Sequence, residues 1–247
     1  KMSMILAIDI HDNLVTGVTI TKTGGVSHVA GHASAIISNE GSLVESLNEI
    51  KSRTGYKGSD CRLALGAENC SIRNLTLPFT SQDVLDQTLP FELENLSNTP
   101  QEEQHLDYLF TPVDEKQSAI CALTIERKRL TDILDDFQEA GLDPSIVTIS
   151  GLPTIQYILE NEPDLSQAAV LDIGANNTTF FFLENKTVTL IRTFATDPEG
   201  KAAIEFKQDR LDIQSVSSDA LASVTDGINS RIRQTLLTMK NVTDDLE

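Results

Sequence analysis

The sequence predicts an α/β protein with two lobes, each built on a copy of the same three-stranded unit. Both copies open with an apolar strand that ends in Asp-Ile, at Asp9 and Ile10 in the first copy and at Asp172 and Ile173 in the second. In each copy a tight turn, a second strand, another turn and a third strand follow, with helical patterns behind them. The repeat predicts a duplicated fold.

The first lobe is predicted to begin with three strands and one helix. Alternating apolar residues indicate antiparallel strands over 4–10, 14–20 and 26–36, and the pair Gly24 and Gly25 is typical of a hairpin turn. Ser42 and Glu45 have the spacing of a capping box, so we expect a helix to begin there and to end at Gly55. Short strands are expected over 62–65 and 71–77.

Residues 77–149 differ in pattern and predict an inserted α+β subdomain. They indicate a helix over 80–96 that contains Pro90, strands over 105–110 and 119–123, a helix over 126–140, and a strand over 144–149. The predicted organisation is therefore a first lobe of residues 1–76 plus 150–166, an insert of residues 77–149, and a second lobe of residues 167–247.

The second lobe repeats the strand pattern of the first. After a helix over 151–160, strands are expected over 168–173, 179–183 and 188–194. A final helix is predicted over 217–239, because apolar residues recur there at helical spacing. The residues of this stripe are Leu221, Val224, Ile228, Ile232 and Leu236.

Charge and composition reduce the number of possible partners and sites. The chain has 37 acidic and 19 basic residues and a net charge of −18, so nucleic-acid phosphates would be repelled and a basic protein partner attracted. Three cysteines without CxxC spacing indicate reduced thiols, and four histidines without an HExxH pattern give no reason to expect a metal. No apolar run approaches the ~20 residues of a membrane span, which favours a cytoplasmic protein.

Five stretches give the chain a resemblance to known proteins. They are AIDI at 7–10, LPF at 77–79, LPFELE at 89–94, LDY at 106–108 and VLDIGANNTT at 170–179. With the duplicated strands they resemble the actin-like (ribonuclease H-like) ATPase superfamily, and within it the pilus-assembly PilM proteins and the cytoplasmic domain of the type II secretion protein GspL. The resemblance implies two lobes around a nucleotide cleft, with 77–149 as an insert like that of the cell-division protein FtsA.

The resemblance also implies a set of cleft residues. In this superfamily the turn after each Asp-Ile points backbone N–H groups at nucleotide phosphates, and the aspartates position a metal ion or a water. The positions that match in this chain are Asp9, Asp172, Gly174, Thr178 and Thr179. The second turn keeps the glycine and the hydroxyls that such a site uses.

The first turn departs from the pattern of the pilus-type relatives, which have glycine after Asp-Ile and then a lysine. Here His11 and Asp12 follow Ile10, and Thr16 stands where the lysine would fall. One like-charge contact at ~4 Å costs on the order of 1–4 kcal/mol, which is a tenfold or larger loss of affinity. We therefore expect a vestigial cleft, no cofactor and no enzymatic activity.

Three interpretations of the cleft stay open at this point: aspartates that only cap strand ends, nucleotide binding without turnover, and hydrolysis. The first favours a scaffold of a type II secretion or type IV pilus platform at the bacterial inner membrane. The resemblance implies an assembly ATPase, or an inner-membrane platform protein or its cytoplasmic peptide, as partner, and leaves a homodimer open. The alternative is a PilM- or FtsA-like ATPase whose ATP state switches partner binding.

Overall fold

The computed structural model describes residues 3–37, 42–58, 60–94, 96, 99–174, 176–195, 205–207, 210–212 and 218–238. The strands are β1 (Ser3–His11), β2 (Leu14–Thr23), β3 (Val26–Ile36), β4 (Asp60–Leu65), β5 (Ser71–Leu77), β6 (Gln104–Pro112), β7 (Ser118–Glu126), β8 (Pro144–Ile149), β9 (Gln167–Ile173), β10 (Asn177–Glu184), β11 (Thr187–Ala195), β12 (Glu205–Lys207) and β13 (Arg210–Asp212). The helices are α1 (Leu43–Thr54), α2 (Gln82–Glu94), α3 (Arg127–Glu139), α4 (Leu152–Asn161) and α5 (Ser218–Thr238).

The first lobe is a five-stranded sheet in the order β3-β2-β1-β4-β8. The first three strands form the predicted antiparallel meander, and β4 and β8 add to β1 in parallel. Helix α1 begins at Ser42, whose side chain and that of Glu45 form the predicted capping box, and it ends at Gly55 in the left-handed conformation. Both helix signals in the sequence are thus confirmed.

The core of this lobe lies between the sheet and two helices. Leu6, Ile8 and Ile10 project from alternate positions of β1, and they are buried with residues of α1 and α3. Because β1 has a hydrogen-bonded strand on each side and helices over one face, its Asp-Ile end is held at the centre of the lobe.

The insert has its own sheet, in the order β5-β7-β6, and helix α2 covers that sheet. The insert does not contain the same strands as the predicted range of residues 77–149. Strand β5, assigned to the first lobe from sequence, pairs with β7, whereas β8 pairs with β4 of the first lobe. Ile133 and Phe137 of α3 also pack into the first-lobe core. The difference arises because an apolar pattern locates a short strand but does not identify its hydrogen-bonding partner.

The second copy of the meander forms a sheet in the order β11-β10-β9, and β12 and β13 make a separate hairpin. Phe181, Leu183 and Ile191 of this sheet share a buried cluster with Ile155 of α4 and Cys121 of the insert, so the three parts of the molecule meet there. Of the α5 stripe, Ile228 and Ile232 are half-buried and Leu236 is exposed, while the side chains of Leu221 and Val224 lie outside the described set.

No helix in the described ranges is both long enough and apolar enough to cross a membrane.

Candidate functional site

The structure brings the two repeated aspartates to one place between the lobes. Asp9 stands near the end of β1, and its Oδ2 accepts a hydrogen bond of 2.9 Å from the hydroxyl of Ser150. The pKa of Asp9 is raised above its ordinary value. Burial and the negative charges of Asp172 and Glu68 outweigh the lowering by the Ser150 hydrogen bond and by His11. The charge of Asp172, on β9, is therefore near enough to raise the pKa of Asp9. A role for either aspartate toward a nucleotide stays a prediction.

The two predicted threonines lie on β10 next to the second turn. Thr178 and Thr179 are both buried, and Thr179 is opposite Asp172 in the β9–β10 ladder. The hydroxyl of Thr179 is 3.2 Å from that of Thr193 on β11. Its hydrogen bond thus goes to the neighbouring strand, and a role for either threonine toward phosphate stays a prediction.

The first turn reaches across the cleft and binds the second. One carboxylate oxygen of Asp12, Oδ2, accepts the backbone N–H of Asn176 at 2.8 Å, and the other, Oδ1, accepts the side-chain Nδ2–H of Asn177 at 3.1 Å. These residues follow the Asp-Ile of the second copy. The contact joins positions 164 and 165 residues apart in the chain.

His11 fills the space next to Gly174. A Cβ atom placed on Gly174 would be 2.0 Å from Cε1 of His11 and 2.5 Å from its Nδ1, far inside the distance that carbon atoms tolerate. Gly174 also donates its N–H to the carbonyl of Asn177 at 2.8 Å, which closes the second turn. The glycine is therefore needed for the approach of the imidazole ring.

Glu68 holds the first turn from the opposite side. Its Oε1 accepts the backbone N–H of Asp12 at 3.0 Å, and its Oε2 is 3.6 Å from Nε2 of His11. The sequence analysis did not single out Glu68, Ser150, Asn176 or Asn177 as site residues. The two asparagines were within reach, since they follow the second Asp-Ile directly, but Glu68 and Ser150 come from distant parts of the chain with no motif around them.

This arrangement does not fit a nucleotide phosphate. The backbone N–H of Asn176 and the side-chain N–H of Asn177 both bind the carboxylate of Asp12, and the His11 ring lies against Gly174. A phosphate placed there would be repelled by Asp12 and by the acidic groups around Asp9, which include Asp172 and Glu68. Among the described residues, no cluster of three or more His, Cys, Asp or Glu side chains is placed to hold a metal ion.

A second feature is an apolar groove of about 320 Å³ between the insert and the first lobe. Its walls come from β6 and β7 on one side and from β8 on the other, with Asp107 among the polar groups that line it. Cys70 also lines the groove, and burial raises the pKa of its thiol to about 11, so the group is protonated and unreactive at neutral pH.

Comparison with known proteins identifies the fold of the chain. No family model matches the chain, and no curated protein matches its sequence. Solved structures do match. A type IV pilus biogenesis complex of PilM and PilN superposes with a TM-score of 0.75 at 19% identity, covering 96% of this chain and 77% of that one.

Two further solved structures match the fold of the chain. The cytoplasmic domain of EpsL, an inner-membrane component of the type II secretion system of Vibrio cholerae, has a TM-score of 0.54 at 15% identity over 78% of this chain and 72% of that one. A Bacteroides thetaiotaomicron protein of unknown function with an actin-like ATPase fold has a TM-score of 0.51 at 10% identity, covering 81% and 73%. The fold predicted from the repeated Asp-Ile units is confirmed: the chain has the actin-like ATPase fold.

Proposed function

We propose that this protein is a docking platform of a type IV pilus or type II secretion machine, which holds the cytoplasmic segment of an inner-membrane protein and does not hydrolyse ATP. The observation that carries the proposal is the likeness to PilM in a PilM–PilN complex over 96% of the chain, together with the groove between insert and first lobe. The likeness to the EpsL cytoplasmic domain supports the same setting.

The groove suits an extended peptide. Strands β6 and β8 line it, and within the described residues each is hydrogen-bonded to another strand on one side only. An open strand edge offers backbone N–H and C=O groups that an added strand can bind. On β8, Ile146 is 49% exposed and Val147 is 40% exposed, so apolar surface is available beside that edge. Burial of this surface would favour a peptide with apolar side chains.

Charge indicates which peptide. The chain has a net charge of −18, and Asp107 lies in the groove lining. Segments that flank a membrane span on the cytoplasmic side are rich in Lys and Arg. A peptide that combines such residues with apolar side chains therefore complements both the charge and the apolar walls of the groove. The assembly ATPase and a homodimer, the other partners expected, rest on the resemblance alone.

The cleft supports a platform role rather than turnover. Its two turns are bound to each other through Asp12, and the Asp9 carboxylate is engaged by Ser150. A platform needs a fixed surface more than a site that opens for substrate. We therefore propose that partner binding takes place in the groove rather than in the cleft.

A peptide titration tests the docking proposal. The probe is a synthetic peptide with the sequence of the cytoplasmic N-terminal segment of the inner-membrane pilus or secretion protein of the same bacterium. We expect Val147→Lys to weaken its binding at least about tenfold, because the new positive charge lies at the apolar groove wall and repels a basic peptide. The matched control is Val29→Lys, which changes an exposed valine on β3, at the opposite edge of the same sheet.

The control should bind the peptide as the wild type does. Equal affinities for the wild type and both variants would contradict the groove as the docking site, and lack of binding by the folded wild-type protein would contradict the choice of partner.

A further inference from the structure

The first turn supplies the second with a ligand. Carboxylate and phosphate oxygens are both acceptor-only anions, and both bind the converging N–H groups of a turn. Asp12 uses both of its oxygens, one on the backbone N–H of Asn176 at 2.8 Å and one on Nδ2–H of Asn177 at 3.1 Å. The pair of donors thus holds an anion, and that anion belongs to the protein itself.

Asp12 is held in place by its backbone. It has a φ of 56°, a left-handed conformation that aspartate tolerates better than most residues with a side chain. In this conformation its N–H points to Oε1 of Glu68 at 3.0 Å, while its side chain points to the second turn. The residue is therefore bound on two sides, by the first lobe through its backbone and by the second lobe through its carboxylate.

His11, which precedes Asp12, adds to the contact between the two turns. His11 packs against Gly174 of the second turn, and its Nε2 is 3.6 Å from Glu68. The imidazole is largely buried, with 14% of its side chain exposed. The His11 ring occupies the space beside Gly174. The residues at positions 11 and 12 both differ from the glycine-containing turn of the second copy.

We infer that Asp12 is a built-in substitute for a phosphate group, which occupies the anion site of the second turn and fastens the two lobes together. The inference concerns the cleft alone and stands whether or not a peptide binds in the groove. It assigns the second turn as a working anion site whose occupant is a carboxylate of the same chain.

The variant Asp12→Gly tests the inference, because it removes the carboxylate and keeps a residue that accepts the left-handed backbone conformation. Glycine adopts a φ of 56° without strain, so a loss of stability beyond that of a matched glycine control comes from the missing carboxylate. The matched control is Lys186→Gly, an exposed residue with a φ of 64° in the turn between β10 and β11. We expect the midpoint of thermal unfolding to fall by several degrees for Asp12→Gly and to stay level or rise for Lys186→Gly.

Added anions then test whether the vacated donors bind them. Sodium formate should raise the midpoint of Asp12→Gly more than sodium chloride of equal ionic strength does, and this excess should be absent in the wild type and in Lys186→Gly. Formate is the probe because it carries the same carboxylate group as the Asp12 side chain and is small enough to replace it. A response that is the same in all three proteins, or an Asp12→Gly variant as stable as the control, would overturn the inference.

A measurement on the wild type keeps the test decisive if Asp12→Gly does not fold. Hydrogen exchange of the Asn176 backbone amide should be slowed by the Asp12 hydrogen bond, although the residue lies in a turn at the cleft. Exchange of this amide at the rate of an unprotected peptide would show that Asp12 does not occupy the site.

Discussion

Strands β1 and β9 carry nearly the same sequence pattern but have different surroundings. Each ends in Asp-Ile and is followed by a turn and an antiparallel partner. In β1, Ile8 and Ile10 are 2% and 7% exposed, whereas their counterparts in β9, Leu171 and Ile173, are 37% and 50% exposed. The same face of the strand is thus buried in the first lobe and open in the second.

The difference comes from neighbours rather than from the strands. Strand β1 has β2 and β4 on its two sides and helices α1 and α3 over its apolar face. Within the described residues, β9 is bonded to β10 alone. The comparison shows that an apolar strand indicates what can be buried, while the lobe built around it decides how much burial is achieved.

The largest effect should come from a matched pair of truncations. Ile8→Ala removes a fully packed side chain from the first-lobe core and is expected to lower the free energy of unfolding by about 2–5 kcal/mol. Leu171→Ala, at the equivalent position of β9, should cost less than about 1 kcal/mol because the side chain is already partly in water. Urea unfolding of both variants measures the difference, and equal losses would contradict the contrast between the two lobes.

The turns after the two strands offer the next comparison. Position 11 in the first copy, a histidine, corresponds to position 174 in the second, a glycine, and the two side-chain positions meet in the cleft. Gly174→Ala should therefore destabilise the protein by about 1–3 kcal/mol, because its methyl group overlaps the His11 ring.

The double variant identifies the cause of that loss. In a His11→Gly background the overlap with the ring is removed and the contact of the methyl group with the Asn177 carbonyl at 2.9 Å remains, so Gly174→Ala should cost clearly less there than in the wild type. Thermal or urea unfolding of the four proteins gives the coupling. Additive losses would mean that the two turns do not touch as the structure describes.

The smallest effect concerns the aspartates themselves. A carboxyl group whose pKa is higher in the folded than in the unfolded protein costs stability as the pH rises from the ordinary aspartate value of about 3.9 through the raised value, and the cost persists above it. Asp9→Asn removes this cost and keeps an acceptor for the Ser150 hydroxyl.

We therefore expect Asp9→Asn to be more stable than the wild type at neutral pH, with the advantage shrinking as the pH falls. The control is Asp135→Asn, on the exposed face of α3, which changes the net charge equally. Its stability should stay close to that of the wild type across the pH range. Unfolding midpoints between pH 4 and 8 test this, and a lower stability of Asp9→Asn at neutral pH would contradict the role of burial.

Local signals in the sequence predicted local structure well. Alternation gave the meander strands, and Ser42, Glu45 and Gly55 gave both ends of α1, because those features act within a few residues. The pairing of β8 with β4 was missed, since hydrogen-bond partners far apart in the chain leave no short pattern.

The site was predicted in the same uneven way. The repeat singled out Asp9 and Asp172, and the charge of Asp12 predicted that this residue would repel phosphate. Its role as the occupant of the second turn was not foreseen, because that depends on how the two lobes meet.

The central claim is that the cleft is filled by the protein's own side chains and takes no nucleotide. Calorimetric titration of Mg-ATP into the wild-type protein, with Asp172→Ala as the control, tests it most directly. We predict no binding at millimolar nucleotide in either protein. Micromolar binding that Asp172→Ala abolishes would contradict the account and make a nucleotide-switched actin-like ATPase the better description.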